Sequence, residues 1–125
     1  MRVLIILTVL LGALPAYAGG IPEDLAVKCI MGEARGESYE GKVAIAAALR
    51  NRGTTKGVYG CKAVFTEPDW VWEDARKAWL ESAVNDAVNG ADHWGSTIVD
   101  KAWIAKMDKS MKKTVVVGNH AFYKG

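Results

Sequence analysis

Gly32-Glu33-Ala34-Arg35-Gly36-Glu37-Ser38-Tyr39-Glu40-Gly41 places three glutamates where two helical patterns meet. Upstream, Ile21 to Met31 predicts a short apolar helix, and downstream Lys42 to Arg52 predicts a second. Glu33 then falls at the last turn of the first helix and points into the space between the two. A carboxyl group held there loses water, and desolvation raises its pKa by disfavouring the charged form, as a general acid near neutral pH requires. The plainer reading is a solvated cluster in which Glu33, Glu37 and Glu40 pair with Arg35 and Lys42, because structural ion pairs also build such clusters.

Outward from this stretch, the first eighteen residues stand apart. Arg2 is a minimal positive start, Val3 to Leu14 is an apolar run too short to span a bilayer unaided, and Pro15-Ala16-Tyr17-Ala18 ends in the small-x-small pattern of a signal-peptidase site. The pattern predicts a signal peptide over residues 1–18 and one domain over 19–125, exported to the periplasm or cell exterior without stable membrane insertion. A retained anchor is the alternative. The sixteen Lys and Arg exceed the fourteen Asp and Glu by two, and losing Arg2 narrows that further, so no field of the size nucleic acid requires is present. Cys29 and Cys61 are the only cysteines. In an oxidising compartment an even count favours a disulfide tying the first helix to the loop after the second, worth roughly 3–4 kcal/mol in the chain-entropy model; two separate buried thiols are the alternative.

Along the domain, Pro22-Glu23-Asp24 suits a helix start, and Ser38 suits the N-cap of a second helix that is apolar nearly all round from Val43 to Leu49. This is the expected central helix. Thr54 to Lys62 reads as loop, and Glu67-Pro68-Asp69 opens a third helix from about Trp70 to Asn89, stopping at Gly90. The stripe of Trp72, Ala75, Trp79 and Ser82 reads as core. His93 to Val99, Thr114 to Val117 and His120 to Tyr123 have strand composition, with one short helix over Asp100 to Met111 and a turn at Gly118-Asn119. The expected architecture is mainly α within the α+β class: three main helices and a small C-terminal antiparallel sheet in a single domain, with no sign that it needs a partner copy.

The two histidines, His93 and His120, lack the spacing of a zinc motif, and no metal or other cofactor is expected. Ser38 and Ser82 lie in no nucleophile-elbow context. Carboxylate chemistry remains, and glycoside cleavage is its natural exported use.

The run Met31 to Arg52 resembles the signature of the spore-cortex-lytic and phage cell wall hydrolases, and Gly118-Asn119-His120-Ala121-Phe122-Tyr123 resembles their closing motif. Gly90-Ala91-Asp92-His93-Trp94 is similar to the strand that leads into their cleft, whereas Gly95-Ser96-Thr97 departs from the aromatic-rich continuation. The resemblance implies a lysozyme-like, endolysin-type domain that cuts peptidoglycan glycan strands between N-acetylmuramic acid and N-acetylglucosamine, as a lytic transglycosylase with Glu33 as its acid. A hydrolytic muramidase would need a water or a second carboxylate, for which Glu37 and then Glu40 are the candidates. An amidase acting on the peptide stem, or an exported peptidoglycan-binding module, are the other classes. Substrate contacts are expected from His93, Trp94, His120 and Tyr123. Strand alternation puts His120 with Phe122 and leaves Tyr123 for the cleft, or for orienting Glu33 through its hydroxyl.

Overall fold

The computed structural model describes residues 20–62 and 66–125; the expected signal peptide lies outside the described residues. Among the described residues four helices and three strands follow in order: α1 (Glu23–Ala34), α2 (Tyr39–Arg52), a 3₁₀ turn (Tyr59–Lys62), α3 (Asp69–Ser82), β1 (His93–Ser96), α4 (Lys101–Ser110), β2 (Lys112–Val117) and β3 (His120–Lys124). The mainly-α, α+β architecture is therefore as the sequence predicts. Among the described residues no helix is long and apolar enough to cross a membrane.

Helix α2 is the centre. Ser38 caps it by accepting from the Gly41 N–H at 3.2 Å, and Gly53, in the left-handed region at φ 73°, ends it. Between these ends every residue from Gly41 to Leu49 is buried. Four alanines, Ala44, Ala46, Ala47 and Ala48, leave room for α1 and α3 to approach on adjacent sides, with the sheet closing the core through Phe122. Arg50 locks α2 to α3: its Nε donates to Ser82 Oγ at 2.7 Å, a terminal nitrogen donates to the Trp79 carbonyl at 2.6 Å, and the guanidinium lies 3.7 Å from the Trp79 ring centre. Burial of the guanidinium lowers its pKa from the ordinary arginine value.

Helix α3 ends at Ser82, well short of the predicted Asn89. The Asp86 carboxylate accepts from the backbone N–H groups of Val88 and Gly90 at 3.2 and 2.8 Å, giving the chain a local alternative to the helical ladder. Asn89 and Gly90 then both take positive φ. Strand β1 likewise stops at Ser96, earlier than the predicted Val99, because the Ser96 hydroxyl accepts from Ile98 and Val99 and the Asp100 carboxylate accepts from the Ser96 N–H. Helix α1 starts two residues after the predicted Ile21 and runs on to Ala34, taking Glu33 inside its last turn.

The sheet is antiparallel in the order β1-β3-β2. Strand β3 is central, with His93 opposite Tyr123 and Ser96 opposite His120 on one side and Val117 opposite His120 on the other. Cys29 and Cys61 form a disulfide that joins α1 to the 3₁₀ turn.

Candidate active site

Glu33 reaches its position because the backbone of α1 and that of the 3₁₀ turn touch without intervening side chains. A Cβ on Gly32 would run into the Gly60 carbonyl, and a Cβ on Gly60 would overlap the Glu33 carboxylate. Only glycine at both positions permits the approach. Its product is a hydrogen bond from the Gly60 N–H to Glu33 Oε2 at 3.0 Å. From the other side, the indole N–H of Trp94 on β1 donates to Oε1 at 2.8 Å. Each carboxylate oxygen thus accepts one bond, from elements fixed by the disulfide and by the sheet. The head group lines a cavity of about 490 Å³, within the ~300–1,000 Å³ common for small-ligand sites.

His93 lines the same cavity. Its Nδ1 lies 2.9 Å from Asp92 Oδ1, and since an ionised carboxylate only accepts, Nδ1 carries the proton. Asp92 also accepts from the Gly125 N–H at 2.9 Å. Burial alone would raise the Asp92 pKa, but the Gly125 and His93 donors outweigh it and hold the carboxyl below its ordinary value.

The structure brings Glu33, His93 and Trp94 together and sends the other predicted site residues elsewhere. Glu37 faces away from the cavity: Oε1 accepts from the Asn119 N–H at 2.9 Å and from His120 Nδ1 at 3.1 Å, while Oε2 accepts from the Asn119 side-chain amide at 3.1 Å. It clamps the β2–β3 turn, and His120 is its partner rather than a substrate contact. Burial would raise the Glu37 pKa; the Asn119 and His120 hydrogen bonds and the His120 charge outweigh it, leaving the carboxyl below its ordinary value. Glu40 is exposed in the first turn of α2, outside the cavity lining. Neither, then, is placed as a second carboxylate at the cavity.

Tyr123 needs the plainest correction. Alternation along β3 does separate it from His120 and Phe122, but α4 covers that face. Tyr123 is buried against Met107 and Ala121, and its hydroxyl donates to Asp108 Oδ1 at 2.7 Å. Burial, with Asp108 assisting, raises its pKa. The predicted ion pairs also differ: Arg35 meets Glu67 at 3.4 Å and Lys42 meets Asp74 at 3.5 Å.

Six residues that sequence reasoning did not single out for the site line it: Arg52, Gly57, Val58, Tyr59, Asp100 and Trp103. Arg52 was legible only as a helix end; its guanidinium donates to the Asp92 and Lys56 carbonyls, stitching the loop after α2 to the residue before β1. Tyr59 stands between the turn glycines Gly57 and Gly60, and Asp100 and Trp103 begin α4. A signal for the last two existed in the helix expected over Asp100 to Met111, but nothing in it told which way that helix faces. Among the described residues no group of three or more His, Cys, Asp or Glu side chains is placed to hold a metal ion.

Comparison with known proteins shows what this chain is similar to. No family model matches the chain. It is similar to the spore cortex-lytic enzyme of Oceanobacillus iheyensis, 37% identical over 84 residues that cover 60% of this chain and 30% of that protein. The chain therefore spans well under half the length of that curated relative. It shares its fold with the catalytic domain of the Bacillus cereus SleB protein (TM-score 0.57, 23% identity, covering 85% of this chain and 93% of that one). It also shares it with the catalytic domain of the germination-specific lytic transglycosylase SleB from Bacillus anthracis (TM-score 0.56, 24% identity, covering 85% and 98%). These matches bear out the resemblance to spore-cortex-lytic proteins read from Met31 to Arg52.

Proposed function

We propose that this chain is an exported, monomeric peptidoglycan-lytic enzyme that cleaves the bond between N-acetylmuramic acid and N-acetylglucosamine as a lytic transglycosylase, with Glu33 as both acid and base. The observation that carries this reading is the pair of donors on Glu33. Gly60 N–H and Trp94 Nε1–H fix the carboxyl plane, and neither can accept its proton. A proton on Glu33 is left to face the cavity. It would pass to the glycosidic oxygen as the C1–O bond breaks; the muramyl 6-hydroxyl would then attack C1 and return its proton to the Glu33 carboxylate, closing a 1,6-anhydro ring. That sequence consumes no water and uses one carboxylate, consistent with Glu37 and Glu40 lying away from the cavity. The names of the similar proteins support the same class of activity.

A hydrolytic reading draws on one observation, that Asp100 stands on the cavity wall. Its Oδ2 already accepts from the Ser96 N–H at 2.9 Å, leaving Oδ1 for a water. Mass analysis of digested peptidoglycan separates the readings. Anhydro-muropeptides are expected; muropeptides heavier by one water would mean hydrolysis, and free stem peptides would mean an amidase.

A further inference from the structure

Most aromatic rings among the described residues have structural work. Trp79, Phe122 and Tyr123 are in the core, Trp94 holds Glu33, and the Tyr39 hydroxyl donates to Glu81 on α3. Among the described residues three are left exposed to solvent: Tyr59 at 83% exposure, Trp70 at 68% and Trp103 at 43%. Two of these three, Tyr59 and Trp103, line the cavity of Glu33. Large rings left in water at a concave polar site forgo the stabilisation of burial, and their faces are free for a ligand.

Their attachment is more telling than their exposure. Tyr59 is one peptide bond from Gly60, whose N–H binds Glu33 Oε2, and it begins the turn that the Cys29–Cys61 disulfide ties to α1. Trp103 donates its indole N–H to the Trp94 carbonyl at 3.2 Å, and Trp94 binds Glu33 Oε1. Each ring is therefore one residue removed from one oxygen of the same carboxyl, along two different elements. We infer that Tyr59 and Trp103 are paired stacking platforms on the two sides of Glu33, and that they take consecutive rings of a β-linked N-acetylated amino-sugar chain. This rests on the glycan reading of the site. A β-linked pyranose presents C–H groups on its faces and hydroxyls at its rim, which suits an aromatic face set among polar groups. Here the polar groups are His93, Arg52 and Asp100.

The test uses the Glu33→Gln protein, which keeps the cavity while removing the transferable proton, titrated with tetra-N-acetylchitotetraose and followed by tryptophan fluorescence and calorimetry. Tyr59→Ala and Trp103→Ala in that background are each expected to weaken binding about five- to tenfold, and Tyr59→Phe and Trp103→Phe to recover most of the loss because the ring face carries the contact. The Tyr59 side chain is exposed and makes no hydrogen bond among the described residues, so its truncation should leave the fold intact, and thermal melting of every variant checks this. Failure of the unsubstituted Glu33→Gln protein to bind the tetrasaccharide, an unchanged Kd in either alanine variant, or no recovery with phenylalanine overturns the pairing. Failure of the catalytic reading has a different signature, namely lysis retained by Glu33→Gln.

Discussion

Glu33 and Glu37 lie four positions apart in one motif, and the fold treats them in opposite ways. Both are held by backbone and side-chain N–H donors. Glu33 accepts two bonds, one on each oxygen, and its remaining acceptor positions face a cavity. Glu37 accepts three, its side chain is only 10% exposed, and its carboxylate ties α2's leading loop to the β2–β3 turn. What distinguishes a carboxylate available for chemistry from a structural one is thus where its unused lone pairs point. The number of donors that grip it does not decide the matter.

The largest expected effect tests the first half of that contrast. Glu33→Gln preserves shape but turns one oxygen into an NH₂ facing the N–H of Gly60 or Trp94, and it has no proton to give, so lytic turnover should fall about 10²–10⁴-fold in protein that still folds, with a modest drop in melting temperature. Turnover near that of the unsubstituted protein would dissolve the distinction altogether. Next in size is the disulfide that holds Gly60 against Glu33. Reduction, or the Cys29→Ser/Cys61→Ser double variant, should cost about 2–4 kcal/mol of stability and lower turnover even at temperatures where the protein stays folded. A melting curve indifferent to reductant would show that the close approach of Gly32 and Gly60 holds without the bridge.

Glu37→Gln should give the mirror image of Glu33→Gln: about 1.5–3 kcal/mol less stability, the range for hydrogen bonds to a charged group, with turnover per folded molecule retained. The pH dependence sharpens this. Because the folded Glu37 carboxyl titrates below its ordinary value, its stabilisation is complete above the ordinary carboxylate range and is lost as the pH falls through the lower folded value. Acid titration of unfolding should therefore be less steep in Glu37→Gln, and identical acid profiles would remove Glu37 from its structural role. The smallest effect is expected from Tyr123→Phe, which deletes the hydroxyl bond to Asp108: about 1 kcal/mol of stability and no change in turnover. A clear loss of turnover instead would return the C-terminal strand to the cleft.

Much of the frame was legible because local rules and burial agree there. The Ser38 cap, the all-round apolar α2 and its end at Arg52 each follow from residue type, and the structure follows them closely. The errors at the site originate in contacts between distant segments, those at element ends in local side-chain turns. The Asp86 turn that cuts α3 short at least involves neighbours in sequence; the fate of Tyr123 does not, since it depends on which face of the sheet α4 covers. Period-two alternation correctly separated Tyr123 from His120, yet it carries no information on what lies over each face. Tyr59, Arg52, Asp100 and Trp103 were missed for the same reason, as three separate segments converge on one cavity. The place of Glu33 at the helix end was legible because the helix end and the flanking turn are written in the same ten residues, whereas the Gly60 and Trp94 donors that hold its carboxylate come from distant segments.

Gly32 and Gly60 carry one last implication, for how tolerance to mutation is distributed. In a saturation scan these two positions should read as among the most intolerant in the chain although neither contributes a side chain to anything. Their defects should also fail to add: once a methyl group at one has parted the two backbones, a second at the other has little left to disrupt. Such a pair of silent, interdependent sites would mark the contact from phenotype alone.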